Sequence, residues 1–301
     1  MSRISACAFV MLLAVALGAC NVFEGISSDT ELSNNVDVLM SDGQRAIQKG
    51  DTKEAIRIFT HAVGVTTAST YEGRIARIKL ATSKLSDKGV NVLTLQNTAA
   101  GLVDELDNVP TTPTFTAAAG SVCSFGAPDT GYAEIDLNAV TGYATLRANT
   151  ATLVEVRDLI KEALSIGDAP TRAQIDAGLT ALRAEGADDN VLAEALADGS
   201  VAFTGLAYDA IVAAGGNTVQ WVKVRQPSGS VYLGYCAGSQ AAYQGLHTQT
   251  AAQINVIGAS VEMINARAAL PMFTDGSVSR TLAAEAREAY VRLKQELGTN
   301  G

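Results

Sequence analysis

Histidine, cysteine and positive charge are all scarce in this chain. Its 301 residues hold two His, four Cys and one Trp. Cysteines so few and so scattered exclude a zinc or iron–sulfur centre built on clustered thiolates, and nothing pairs His61 with His247 at metal-ligand spacing. Twenty-two Lys and Arg against 31 Asp and Glu give a net charge of −9, which leaves no basic patch to displace counterions from phosphates; a nucleic-acid partner is not expected. Charged residues make up only 18% and hydrophobic ones 48%, the reverse of a disordered polar chain. Catalytic signatures are missing as well: there is no Gly-x-Ser-x-Gly, phosphate loop or dinucleotide fingerprint. Asp129-Thr130-Gly131 spells the aspartic-protease triplet, but it follows Pro128 in a loop and has no second copy to share a proton with. Asp275-Gly276 lacks the alternating acids of a calcium loop. No enzyme, cofactor or metal is expected.

What is present begins at the N-terminus. Arg3 precedes an uncharged run from Ala6 to Ala19, 14 residues long. As a helix it would span roughly 21 Å, short of a bilayer core of about 30 Å, so an export signal is expected rather than a membrane span. Leu17-Gly18-Ala19-Cys20 resembles the lipobox of bacterial lipoproteins, where an apolar residue and two small ones precede a cysteine. The resemblance implies diacylglyceryl attachment to the Cys20 thiol, cleavage after Ala19 and acylation of the new amino terminus. Several acyl chains hold a protein stably at its membrane, so the membrane is the first expected partner. Asn21, where inner-membrane retention in enteric-type sorting favours Asp, implies the periplasmic side of the outer membrane. The alternative is an ordinary export signal cleaved near Ala19, with Cys20 a plain thiol. Cleavage removes Arg3 and no acid, so the mature body is more acidic by one unit and only the lipid would hold it to an anionic surface.

After the leader (1–19) comes a polar, aperiodic stretch expected to be a tether (20–35), and then one helical domain (36–298). Val36, Leu39, Met40, Gly43, Ala46 and Ile47 recur at steps of three and four. Gly50 breaks that pattern, Asp51 can cap the next helix, and Ala55, Ile58, Phe59, Ala62 and Val63 form its inner face. Gly43, Gly50, Ala55, Phe59 and Ala62, at spacings of 7, 5, 4 and 3, make the hairpin 36–66 resemble a tetratricopeptide (TPR) repeat. Small residues there let two helices close up around one large side chain. The sequence departs from the family where Leu39 and Ala46 replace first-helix aromatics, no Pro ends the repeat, and no second full set of signature residues follows. A generic Ala/Gly-packed hairpin remains the alternative, since a solenoid needs about three repeats to close its core.

Further helices are expected at about Thr70–Leu85, Val90–Leu106, Leu137–Ile166, Thr171–Glu185, Asp189–Ala214, Gln240–Ala269 and Ser277–Leu297. A long irregular stretch separates the second and third of these. One β-hairpin is expected within 217–236, as Thr218–Val224 and Ser230–Cys236 around Gln226-Pro-Ser-Gly. The fold class is thus mainly α, built of antiparallel helical hairpins as a TPR-like α-solenoid or an irregular helical bundle, with one small β insertion. With Cys7 lost and Cys20 lipidated, Cys123 and Cys236 remain. Beyond the inner membrane such a pair suggests a disulfide, pinning the irregular loop onto the hairpin as a short third strand near Ser121–Phe125; two separate buried thiols are the alternative. Closing so long a loop stabilises by about 4–5 kcal/mol.

Two functions are expected. TPR-type lipoproteins present concave helical surfaces to partner proteins, which implies an adaptor or assembly factor contacting envelope proteins around Gln44, Gln48 and His61. Trp221 with Tyr232 and Tyr235 would offer an aromatic contact patch. The second is a small-molecule carrier, similar in outline to TPR-like lipoproteins of solute transporters; it predicts an internal apolar channel lined by few polar groups where the adaptor predicts an exposed groove.

Overall fold

The computed structural model describes residues 32–126, 131–216, 219–229, 231–277, 279–284, 286–287 and 290–291, without the side chains of Ala99, Ala100 and Val103. The leader, Cys20, most of the tether, Asp129-Thr130 and the final helix beyond Val291 therefore lie outside the described residues. Contacts divide the chain into Met1–Asn34 and Asn35–Gly301, and the second unit holds every element below.

Side-chain caps set most helix starts. Asn35 accepts from the Asp37 and Val38 amides ahead of α1 (Val36–Gln48), and Asp51 from Glu54 N–H ahead of α2 (Thr52–Val65). Thr70 caps α3 (Tyr71–Asp87), and Asn91 with Thr94 forms a capping box for α4 (Val92–Asp107). α7 (Arg172–Ala184) begins with a second box between Thr171 and Gln174. Asp188 starts α8 (Asp189–Gly215) and Ser239 starts α9 (Gln240–Ala268).

The long helix expected over Leu137–Ile166 is instead three pieces: a 3-10 turn at Leu137–Ala139, α5 (Tyr143–Ala148) and α6 (Thr150–Leu164). The physical reason is Gly142, which takes φ +84° before α5 and packs where a β-carbon would lie 2.5 Å from Thr98 Oγ1. Apolar residues on either side continue a helical rhythm, but Tyr143 packs in the cluster under the sheet, whereas Leu146 joins Leu153, Val156 and Ile160 in the main helical core.

The β part is larger than the expected hairpin. β3 (Val219–Arg225) and β4 (Val231–Ala237) are flanked by β1 (Val122–Cys123) and β2 (Gly131–Glu134), giving an antiparallel sheet of order β1-β4-β3-β2. β1 lies within the segment expected to pair with the hairpin; β2 was not anticipated. Ser124 N–H donates to Tyr235 O, so the adjacent Cys123–Cys236 pair is non-hydrogen-bonded, the register in which facing residues approach most closely. A disulfide joins the two cysteines. Alternation sends Val219, Trp221, Tyr235 and Ala237 to one face, against Tyr143 and Leu246. Val222, Val224 and Cys236 point to the other, where Phe115 from the irregular stretch covers them. With both faces covered, the sheet is an integral part of the core.

The helices do not continue as a solenoid. α1, α2 and α3 stack in order, but α3 then packs on α6 and α8, and α8 is flanked by α6 and α9. Paired charges hold α3 in that slot. Arg77 reaches Glu162 at 2.5 Å and Lys84 reaches Glu155 at 2.5 Å, both on α6. On its other flank Lys79 meets Glu194 at 2.6 Å and the Thr82 hydroxyl donates to Asp198 at 2.6 Å, both on α8. A third TPR-like helix would turn that flank to a following repeat; here α6 and α8 occupy it, so the architecture is an irregular bundle. α8 has the length and apolar composition of a membrane span, and in this fold it is the bundle's central helix.

Candidate functional site

α6 and α8 run antiparallel, with Leu153 packed at Gly205 and Ile160 at Gly199. α9 lies on the neighbouring flank of α8, where Thr204 and Ser260 hydroxyls meet. Between α6 and α9, over the outward stripe of α8, is a half-open cavity of about 350 Å³. Phe203, Leu206 and Ala210 of α8 and Val256 of α9 give it an apolar floor; Asp209, Gln253, Arg157 and Asp168 supply its polar groups. Arg157 is engaged by Asp158 at 2.8 Å, and Asp168 by Lys161 at 2.6 Å, which lowers the Asp168 pKa. Asp209 is bonded differently. Tyr143 donates its phenol proton to Oδ1 at 2.9 Å, while Thr150 Oγ1 stands 3.4 Å from Oδ2. Burial, then the hydrogen bond to Asp209, raises the Tyr143 pKa well above its ordinary value, so the phenol remains a donor. Among the described residues no Lys, Arg or His forms an ion pair with Asp209.

A second, more open recess of about 400 Å³ lies at the α1–α2 hairpin, lined by Asn35, Val36, Asp37, Val65, Thr66, Thr67, Thr70 and Glu72. Val65 on this rim is 40% exposed, and Val38 one turn into α1 is 43% exposed.

A third polar cluster lies between α3 and α8. Burial raises the pKa of Asp198 to about 7; Glu194 adds to the rise, while the Thr82 hydrogen bond and the charges of Lys79 and Arg267 oppose it. Arg267 stacks over the Phe273 ring at 4.6 Å and donates to Ser279.

The residues expected to matter are dispersed. Gln44 is half-buried and Gln48 exposed on α1, and His61 is half-buried on α2. Trp221, expected on a contact surface, is 9% exposed and packs edge-on to Tyr235 in the core, because strand alternation turns both toward α5 and α9. His247 stacks on Tyr243, with Nδ1 3.5 Å from the Tyr235 hydroxyl. Asp198 and Asp209 were missed. The available signal was composition: they are the only charged residues in α8 after Glu194. Among the described residues, no group of three or more His, Cys, Asp and Glu is placed to hold a metal ion.

No protein-family model, no curated protein and no solved structure matches this chain.

Proposed function

We propose that this is a bacterial envelope lipoprotein, anchored through Cys20 on the periplasmic side of the outer membrane, whose helical body serves as an adaptor or assembly factor for other envelope proteins. The observation that supports the adaptor role is the open recess at the TPR-like hairpin, with Val65 and Val38 exposed beside it. Exposed aliphatic side chains in a concave, mostly polar rim are the chemistry of a protein contact. Gln44, Gln48 and His61 lie on the same two helices but do not line the recess, and Gln48 is at the far end of α1 from it.

The experiment is site-specific photocrosslinking from membranes, with the probe at Val38, Val65 and, as a distant control, exposed Glu134. Crosslinks to the same envelope proteins from Val38 and Val65 but not from Glu134 support the adaptor. Equal capture from all three positions, or none, sinks it. Labelled palmitate should enter the wild-type chain and not Cys20→Ala, which should also leave the membrane fraction.

A second reading, a small-molecule carrier, is favoured by the 350 Å³ cavity over α8, within the size range of ligand pockets and walled by apolar side chains with a few polar groups.

A further inference from the structure

The cavity between α6, α8 and α9 has a chemical preference built into it, and this inference rests on the carrier reading. We propose that it binds a free alkylamine, with the ammonium head on Asp209 and the hydrocarbon stem along Leu206, Ala210 and Val256.

The inference starts from the hydrogen-bond inventory of one carboxylate. Asp209 Oδ1 is served by the Tyr143 phenol. Among the described residues the hydrogen-bond partner of Oδ2 is Thr150 Oγ1, at 3.4 Å, and that hydroxyl has a single proton, whose shorter bond is to Arg147 O at 2.9 Å. Oδ2 of this cavity-lining carboxylate therefore keeps acceptor capacity that the donors among the described residues do not fill. The neighbouring cations are committed elsewhere: Arg157 to Asp158, and Arg147 to Asn138 Oδ1 at 2.5 Å. A carboxylate in a half-buried, apolar setting with no cation of its own attracts one from solution more strongly than it would on an open surface. The ligand's head must donate, because Oδ2 accepts only, and a positive one is favoured, because Arg157 and Asp168 are each paired, with Asp158 and Lys161, which leaves Asp209 as the lining charge without an ion-pair partner among the described residues.

The floor sets the rest of the ligand. Leu206 and Ala210, four residues apart, form a stripe along about one turn of α8, with Phe203 fully buried behind it, and Val256 lines the same cavity from α9. An unbranched stem of roughly six carbons would cover that stripe. Gln253, in the wall, offers an amide oxygen to a second ammonium proton. An anionic head would be repelled by Asp209, and an alcohol could donate one hydrogen bond to the carboxylate but would bring no opposite charge to it.

The test is titration calorimetry on the full chain at neutral pH and physiological salt with hexylamine, hexanol and hexanoate, three probes of one stem length and different heads. Hexylamine should bind about tenfold or more tightly than the other two. Asp209→Asn should remove that preference, whereas Asp168→Asn, which alters charge at the mouth only, should change hexylamine affinity by about twofold or less. Leu206→Trp, which fills the cavity and leaves the Asp209 carboxylate in place, should abolish binding even if Asp209→Asn fails to fold. If hexanol or hexanoate binds as well as hexylamine and Leu206→Trp blocks it, the amine preference is overturned and the carrier reading stands. If hexylamine binds equally well to Leu206→Trp, the site is wrong. If none of the three probes binds, both the preference and the carrier reading fall.

Discussion

The ring of Phe59 occupies the space that a β-carbon on Gly43 would need: that carbon would lie 2.5 Å from Cζ. Phe59 is fully buried, so its ring has nowhere to retreat. Gly43→Ala gains about 1 kcal/mol of helix propensity and incurs overpacking of about 1–3 kcal/mol, so a net loss of stability is expected. Gly64→Ala, in the same hairpin with open space around it, should stabilise instead. Urea midpoints of the two variants, with Gly43→Ala/Phe59→Leu as the relief variant, check the sign of each.

Arg77 and Glu162 are unequal partners, and their variants should differ for that reason. Arg77 is 9% exposed and Glu162 53% exposed at the side chain. Glu162→Ala leaves a buried guanidinium with only its bond to Gly73 O and should cost about 2–3 kcal/mol. Arg77→Met removes the buried charge and returns Glu162 to water, at a cost of about 1 kcal/mol or less. Equal losses in chemical denaturation would contradict this account of how α3 is seated.

The disulfide closes a separation of 113 residues and ties β1 to the sheet. Cys123→Ala/Cys236→Ala should lose about 2–5 kcal/mol. Alanine is the suitable replacement because Cys236 is 1% exposed and a serine hydroxyl would be buried there. Reductant should lower the Tm of the wild type and leave that of the double variant unchanged.

Asp198 makes stability fall with rising pH. Its folded pKa of about 7 lies above the ordinary value of 3.8, so the folded state keeps a proton that the unfolded chain has released. With respect to this group, stability is greatest below about pH 4, declines between about pH 4 and 7 by at most about 1.4 kcal/mol per unit, and levels off above. The side chain is only half-buried, so the measured slope should be well below that bound. Asp198→Asn keeps an acceptor for Thr82 and should match the wild type near pH 4 but exceed it at pH 8. Parallel stability–pH curves for the two proteins would refute the assignment.

The local features were legible in the sequence because each is written within a few residues. Asp51, Thr70 and Thr171 read as helix starts and cap their helices. Gly43 and Phe59 carry spacing enough to define a close-packed hairpin, and the alternation in Val219–Arg225 and Val231–Ala237 marks two strands. The break at Gly142 was not legible, because a left-handed glycine leaves the apolar rhythm around it intact. Nor was β2, a four-residue strand whose pairing with β3 spans about ninety residues of chain.

What this sequence determined alone was an apolar, acidic, mostly helical chain with a small β insertion. Which helices meet was decided only in three dimensions. The lysine at 79 and the carboxylate at 194 are ordinary exposed-face residues until α3 is laid between α6 and α8, and Asp209 is an odd charge in an apolar helix until Tyr143 and the cavity surround it. Helix caps and turns depend on neighbours in the chain, whereas pairing across more than fifty residues depends on the shape the whole core adopts.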